Sequence, residues 1–167
     1  MEWAAISGSW RTITPEVEAD VRADVSRILT QGNGIVTGGA LGVDYIATDE
    51  ALKHDPACHQ LRIILPTPLA HYAAHYFNAA GKKIISHQQS WDLIRQLGHV
   101  KRTNPAALIE MAHEACNPIT YYDRNTEVVK AASRLFAYQV NASAGTQDAI
   151  DKARALRLPV LQRRYTA

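Results

Sequence analysis

Three short segments of this chain combine small residues with hydroxyls in a pattern suited to holding an anion: Gly8-Ser9, Gly38-Gly39-Ala40-Leu41-Gly42 and Ser143-Ala144-Gly145-Thr146. Each follows an apolar run and precedes a stretch of helical periodicity. Glycines let a backbone come close to a ligand, and a helix start offers N–H groups without intrahelical partners, together with a favourable dipole. A phosphate is the anion such sites usually take. Glycine also serves any tight turn, so one such loop alone carries little. Three of them repeated along the chain point to one shared site.

Two familiar phosphate sites are excluded. A P-loop ends in Gly-Lys-Ser/Thr, and no glycine here is followed by Lys and then Ser or Thr. A dinucleotide fingerprint needs a glycine where Thr37 stands, on the first strand rather than the second, and an acid near the next strand's end, where the chain has Leu65-Pro66. No cofactor is therefore expected. His71 and His75 stand one helical turn apart, and His54, Cys58 and His59 cluster, as do His113 and Cys116. None of these sets has the ligand spacing of a structural zinc site, and no metal is expected. Trp91, Tyr72, Tyr76, Tyr121 and Tyr122 are able to stack bases, although core or interface packing is the commoner use of such residues. Lys82-Lys83, Lys101-Arg102 and Arg163-Arg164 read as solvated faces.

The elements that must position the loops follow from periodicity. Apolar strands are expected at Trp3–Ile6, Gly34–Thr37, Leu61–Leu65, Leu135–Tyr138 and Leu158–Leu161. Thr14-Pro15 opens a helix with Val17, Val21, Val25, Ile28 and Leu29 on one face. A second helix carries Val43, Ile46, Ala47 and Leu52, another runs near Thr126–Ser133, and one more carries Ala149, Ile150, Ala153 and Leu156. Alternating strands and helices need crossovers, hence a mostly parallel sheet covered on both faces. The stretch from about Ala70 to Asn117 reads as helices, one capped by Ser90 and one opened by Asn104-Pro105 with Leu108, Ile109, Ala112 and Cys116 on a face. The expectation is a single α/β domain over residues 1–167, three-layered and Rossmann-like, with a helical insertion at about 70–117. In such a fold the three loops gather at the carboxyl ends of the strands.

The run Thr37-Gly38-Gly39-Ala40-Leu41-Gly42-Val43-Asp44, continued by Ala47, Ala51 and Leu52, resembles the signature of the DNA-processing protein A (Smf) family. That family belongs, with the "lonely guy" phosphoribohydrolases, to the SLOG superfamily. Gly8-Ser9-Trp10-Arg11 resembles its first-strand Gly-Ser-Arg loop, Arg124-Asn125 its Arg-Asn pair, and Gly145-Thr146 its last glycine loop. The resemblance implies a Rossmann-like fold that binds nucleotide phosphates or single-stranded DNA. Carried over by position, Gly8, Ser9, Arg11, Gly38, Gly39, Gly42, Arg124, Asn125, Gly145 and Thr146 would line the site, and Thr37 and Ser143 join them as residues of the same loops. Asp44 would either order the glycine loop or contact a ribose. The chain departs from the pattern at Trp10, an extra residue before Arg11. It departs again at Ala149, where the phosphoribohydrolases place a catalytic glutamate in their Gly-Thr-x-x-Glu segment. No catalytic residue is assigned.

Composition is consistent with this reading. The 167 residues are 47% apolar and 20% charged, with net charge +2, which suits a globular protein and permits an anionic ligand without marking a strongly basic nucleic-acid binder. No apolar run approaches the ~18 residues of a membrane span, and Met1-Glu2-Trp3 does not resemble a secretion signal. Cys58 and Cys116 lack a disulfide or CxxC pattern. A cytoplasmic protein is expected, with a homodimer as its assembly and Trp91, Leu93 and Leu97 available to pack on a partner or on the sheet. The leading functional expectation is a module that binds a nucleotide or nucleotide-derived small molecule. Single-stranded DNA binding is the first alternative, and a phosphoribohydrolase or N-glycosidase the second.

Overall fold

The computed structural model describes residues 1–167. Strand β1 (Trp3–Gly8) is followed by α1 (Pro15–Thr30), β2 (Gly34–Thr37), α2 (Val43–His54) and β3 (Leu61–Leu65). Then come α3 (Leu69–Gly81), α4 (His87–Thr103) and β4 (Leu108–Glu110). The last elements are α5 (Pro118–Lys130), β5 (Arg134–Val140), α6 (Ala144–Ala155) and β6 (Val160–Tyr165). The six strands form one sheet in the order β4-β3-β2-β1-β5-β6, and every pairing is parallel. This is the expected three-layer, Rossmann-like α/β architecture.

Period-two alternation divides the strands between two apolar layers. Ala4 and Ile6 of β1 and Phe136 and Tyr138 of β5 point toward α1–α4. Ala5, Leu135 and Ala137 point the other way, toward Val128 and Val129 of α5 and Ala149, Ile150 and Ala153 of α6. Helix α1 begins as its sequence predicts, with Thr14 Oγ1 accepting from Val17 N at 3.3 Å and Pro15 in the first turn. The strand order reverses between β1 and β5. At such a switch point the loops on either side diverge and leave a crevice.

The segment expected as a helical insertion supplies two helices and also a sixth strand. Helix α4 starts at Ser86, not Ser90: Ser86 Oγ accepts from Gln89 N at 3.0 Å, and Gln89 Oε1 accepts from Ser86 N at 2.8 Å. This reciprocal capping box places Ser90 inside the helix, where its hydroxyl donates to His87 O. Asn104-Pro105 opens only a short 3-10 turn (Pro105–Ala107). Leu108–Glu110 then pairs with Ile63–Leu65, burying Leu108 and exposing Ile109. Adjacent Leu108 and Ile109 fit a strand edge or a helix face equally well, and three residues are too few to show a period. Helix α5 likewise begins earlier than expected, because Asn117 and Thr120 form a second reciprocal cap ahead of Pro118. The last strand runs on to Tyr165, tied to α1 by Tyr165 Oη donating to Asp20 and by Arg163 reaching the buried Asp24. Leu93 and Leu97 lie in the chain's own core and only Trp91 faces outward.

Candidate functional site: a cleft at the strand ends

The loops after β1 and β5 and the first turn of α6 enclose a cleft of about 470 Å³ with α3 and α5, within the size of ordinary ligand sites. Nine of the thirteen residues singled out in the sequence line it: Gly8, Ser9, Arg11, Asp44, Arg124, Asn125, Ser143, Gly145 and Thr146. Thr37, Gly38, Gly39 and Gly42 do not, although Ala40 from the same loop does.

The middle glycine loop is folded over a buried acid instead. Asp44 Oδ2 accepts from Gly38 N at 3.1 Å and from Ala40 N at 3.2 Å. Of the two roles open to Asp44, the geometry shows loop ordering. The Arg124 guanidinium donates to the Gly38 carbonyl, and a Cβ on Gly38 would lie 2.5 Å from Arg124 Cζ. Gly39 turns inward: its carbonyl accepts from Tyr72 Oη at 2.9 Å, and an added Cβ would lie 2.5 Å from Leu65 Cδ2. Gly42 lets α2 approach the first loop, where Val43 N donates to Ser9 O at 3.0 Å. Arg124, just ahead of the helix expected near Thr126–Ser133, lies within α5 and is only 6% exposed.

Burial pushes the Asp44 carboxyl up to about 6, against the pull of Arg124 and of the Ala40 and Gly38 N–H groups. A carboxyl raised above its unfolded value of about 3.9 stabilises the fold fully below that lower pKa. The contribution is lost as pH rises through the folded pKa. Urea melts between pH 4 and 8 should show a decline of about 3 kcal/mol from this group, and Asp44→Asn should flatten that part of the profile. A wild-type profile flat through pH 6 would contradict the assignment.

The opposite wall is made by α6. Ser143, its N-cap, makes no side-chain bond to the helix backbone; its hydroxyl donates to Thr146 Oγ1 at 2.7 Å. The N–H groups of Ala144, Gly145 and Thr146 therefore have no protein acceptor and border the cleft. By contrast, α5 beside it is closed by Asn117. A Cβ on Gly145 would meet nothing within 4 Å, so the backbone there is open to an approaching group. Asn125 holds this turn in place, its Nδ2 donating to Gly145 O at 3.3 Å and to Asp148 Oδ2 at 3.0 Å.

Sequence reasoning missed most of the apolar wall. Ala79, Ile84, Ile85 and Pro118 border the cleft with His75, Tyr76, Tyr121 and Tyr122. Of these, the tyrosines had a signal in the sequence as base-stacking candidates, and His75 only as half of a His71/His75 pair. Tyr121 Oη and His75 Nε2 are 3.1 Å apart; burial, helped by Lys82, lowers the His75 pKa and favours the neutral ring. At the mouth, the exposed Arg11 guanidinium stacks 4.4 Å over the Trp10 ring. The extra Trp10 thus steadies the arginine at the cleft. His54 lies 3.3 Å from Glu50 and His113 3.3 Å from Asp123, and no three metal-ligating side chains converge. No helix is long and apolar enough to cross a membrane.

No family model and no curated protein matches the chain. Among solved structures it superposes on DNA processing protein A from Helicobacter pylori, described for its single-stranded DNA binding mode. That match has a TM-score of 0.69 and 20% identity, over 97% of this chain and 66% of the other. The structural-genomics protein TM1055 matches with a TM-score of 0.57 and 14% identity, over 96% of this chain and 72% of that one. DNA processing protein A from Streptococcus pneumoniae matches with a TM-score of 0.49 and 12% identity, over 96% of this chain and 58% of its own. The fold is the Rossmann-like fold of DNA processing protein A, and the chain spans under two thirds of the two DNA processing proteins.

Proposed function

We propose that the cleft binds the phosphate of a nucleotide unit on the first turn of α6, with the base against the apolar and aromatic wall. The observation that carries this reading is the set of unpartnered N–H groups at Ala144, Gly145 and Thr146, opening onto a cleft that also holds Arg11. Helix N-termini of this kind favour phosphate through both hydrogen bonds and the dipole. Tyr76, Tyr121 and Tyr122 supply flat apolar surface opposite.

The second reading, in which the nucleotide unit belongs to single-stranded DNA, is favoured by the fold shared with the Helicobacter pylori protein. Salt separates the two: a strand that neutralises several phosphates weakens steeply with ionic strength, whereas one nucleotide weakens little. The proposal is of binding rather than bond cleavage. Ala149 is buried between α6 and the sheet, and the carboxylate of Asp148 is engaged by Asn125 and Lys152. A homodimer remains part of the expectation; of its three apolar candidates Trp91 alone is exposed, and light scattering across concentrations tests it.

Ser143→Asp isolates the phosphate site. An aspartate at this position caps the exposed N–H groups, so the melting temperature should hold or rise. Its charge should repel the phosphate and weaken thymidine monophosphate by about tenfold or more, a loss of about 1.4 kcal/mol or more. Equal affinity in the wild type and this variant would place the phosphate elsewhere.

A further inference from the structure

We infer that the cleft takes up a proton at Asp44 when an anion enters it, so that binding of a phosphate is coupled to pH through this one side chain. The inference rests on the reading of the cleft as a phosphate site and names how that site is regulated.

Asp44 has a spare oxygen. Both hydrogen bonds that order the middle loop end on Oδ2, and Oδ1 has no partner in the protein. Nor is Oδ1 sealed off: the sealed side-chain atoms without a partner are Thr48 Oγ1, Arg134 Nε and Arg163 Nε. Asp44 is only 7% exposed and lines the cleft, so this oxygen opens onto it. Arg124 mirrors the arrangement. Its Nη1 donates to Gly38 O and its Nε to Asn125 Oδ1 at 3.2 Å, which leaves Nη2 for the same cleft. The Gly38 peptide is shared between them, its N–H given to Asp44 and its carbonyl to Arg124. The two side chains act on each other through the field, with no hydrogen bond between them.

One proton therefore changes the charge of the cleft floor. Ionised, Asp44 cancels Arg124; protonated, it leaves a buried cation facing the cleft. Asn125 ties that cation to the first turn of α6, accepting from Arg124 Nε and donating from Nδ2 to Gly145 O at 3.3 Å. A phosphate on this turn meets either a neutral pair or a net positive charge, where salt screens little. A second negative charge in the cleft should raise the Asp44 carboxyl from about 6 to about 7. Linkage is reciprocal, so the protonated form holds the phosphate more tightly by the same factor.

Few other groups compete for the proton. Tyr76 of α3 faces Asp44, and Tyr72 and Tyr121 face Arg124; burial keeps all three un-ionised. Arg11 of the first loop stacks on Trp10 at the mouth. The first turn of α6 has no titratable side chain, and Asp148 beyond it is bonded to Asn125 and Lys152. His75 of α3 is the rival proton acceptor: it borders the cleft and is kept neutral by burial and by Lys82.

Calorimetric titration of the full chain with thymidine monophosphate at pH 7, in buffers of different ionisation enthalpy, counts the protons. The wild type should take up about 0.4 proton per ligand, the amount that a rise from about 6 to about 7 gives at that pH. Neutral thymidine should take up none. The ligand's own second proton, with a pKa of about 6, is released rather than taken up when N–H groups bind the phosphate, so it opposes the signal. Asp44→Asn keeps an oxygen for the Gly38 and Ala40 N–H groups and leaves the floor positive at every pH. It should abolish the uptake, and it should bind the monophosphate about tenfold more tightly than the wild type at pH 8 and equally at pH 5. Monophosphate binding without proton uptake would overturn the inference and leave the cleft reading standing. Uptake that survives Asp44→Asn and disappears in His75→Gln would do the same. Failure of the cleft reading looks different. Either thymidine monophosphate does not bind, which ends both, or Ser143→Asp leaves its affinity unchanged while Asp44 still takes up the proton.

Discussion

Gly42→Ala is expected to destabilise the protein by about 3 kcal/mol or more, a rare size for adding one methyl group. Gly42 has φ 73° and ψ −125°, a conformation closed to residues with a Cβ. The added carbon would lie 2.3 Å from the Ser9 carbonyl oxygen and 2.7 Å from Trp10 Cα. Both are backbone atoms, so no side-chain rotation relieves the clash. The first loop must lift away from α2 and break the hydrogen bond from Val43 N to Ser9 O. Gly39→Val should also act on the fold. Its φ is 67°, and its side chain would enter the space of Leu65 and Ile63. Urea melts of Gly42→Ala check this directly; a loss below about 1 kcal/mol would contradict the close approach.

Arg124→Met is the second large effect, expected at about 3–5 kcal/mol near neutral pH. Methionine keeps the length of the side chain and removes its charge. What remains is Asp44, buried with no cation to offset it, and a Gly38 carbonyl without its donor. Removing a buried cation costs this much when the carboxylate that its field offsets stays desolvated. The loss should shrink below pH 6, where Asp44 takes up a proton and no longer needs the cation. It should shrink again in Arg124→Met/Asp44→Asn. Equal losses at pH 5 and pH 8 would contradict the electrostatic coupling of Arg124 to Asp44. The effect is on folding, so any change in ligand affinity has to be measured in the fraction that remains folded.

Much of this architecture is legible in the chain because the strands are short, apolar and separated by loops with strong stop signals. Thr14-Pro15 and the Val17–Leu29 stripe predict α1 almost to the residue. β4 escapes because three residues carry no period, and its place in the sheet depends on pairing with β3. The starts of α4 and α5 are encoded in Ser86-x-x-Gln89 and Asn117-Pro118, ahead of the Ser90 and Thr126 starts expected from the sequence. At the cleft, residues of the first and last loops line the wall. The Gly38-Gly39 pair of the middle loop does not, because a Gly-Gly pair needed for approach to a ligand looks the same in sequence as one needed for approach to Leu65 and Arg124. Arg124 shows the same ambiguity: its type suits phosphate, but its guanidinium donates to the Gly38 carbonyl inside the protein, within the field of the buried Asp44. The apolar wall at Ala79, Ile84 and Ile85 forms only when α3 folds beside the first loop.

On the proposed reading of the cleft, the first turn of α6 holds a phosphate. Parallel calorimetric titrations of the wild-type chain with thymidine and thymidine monophosphate test it most directly, since the two ligands share base and sugar and differ only in that group. Charge-assisted hydrogen bonds contribute about 1.5–3 kcal/mol each, so the monophosphate should bind at least tenfold more tightly. Equal affinity for the two, or tighter binding of thymidine, would contradict the account.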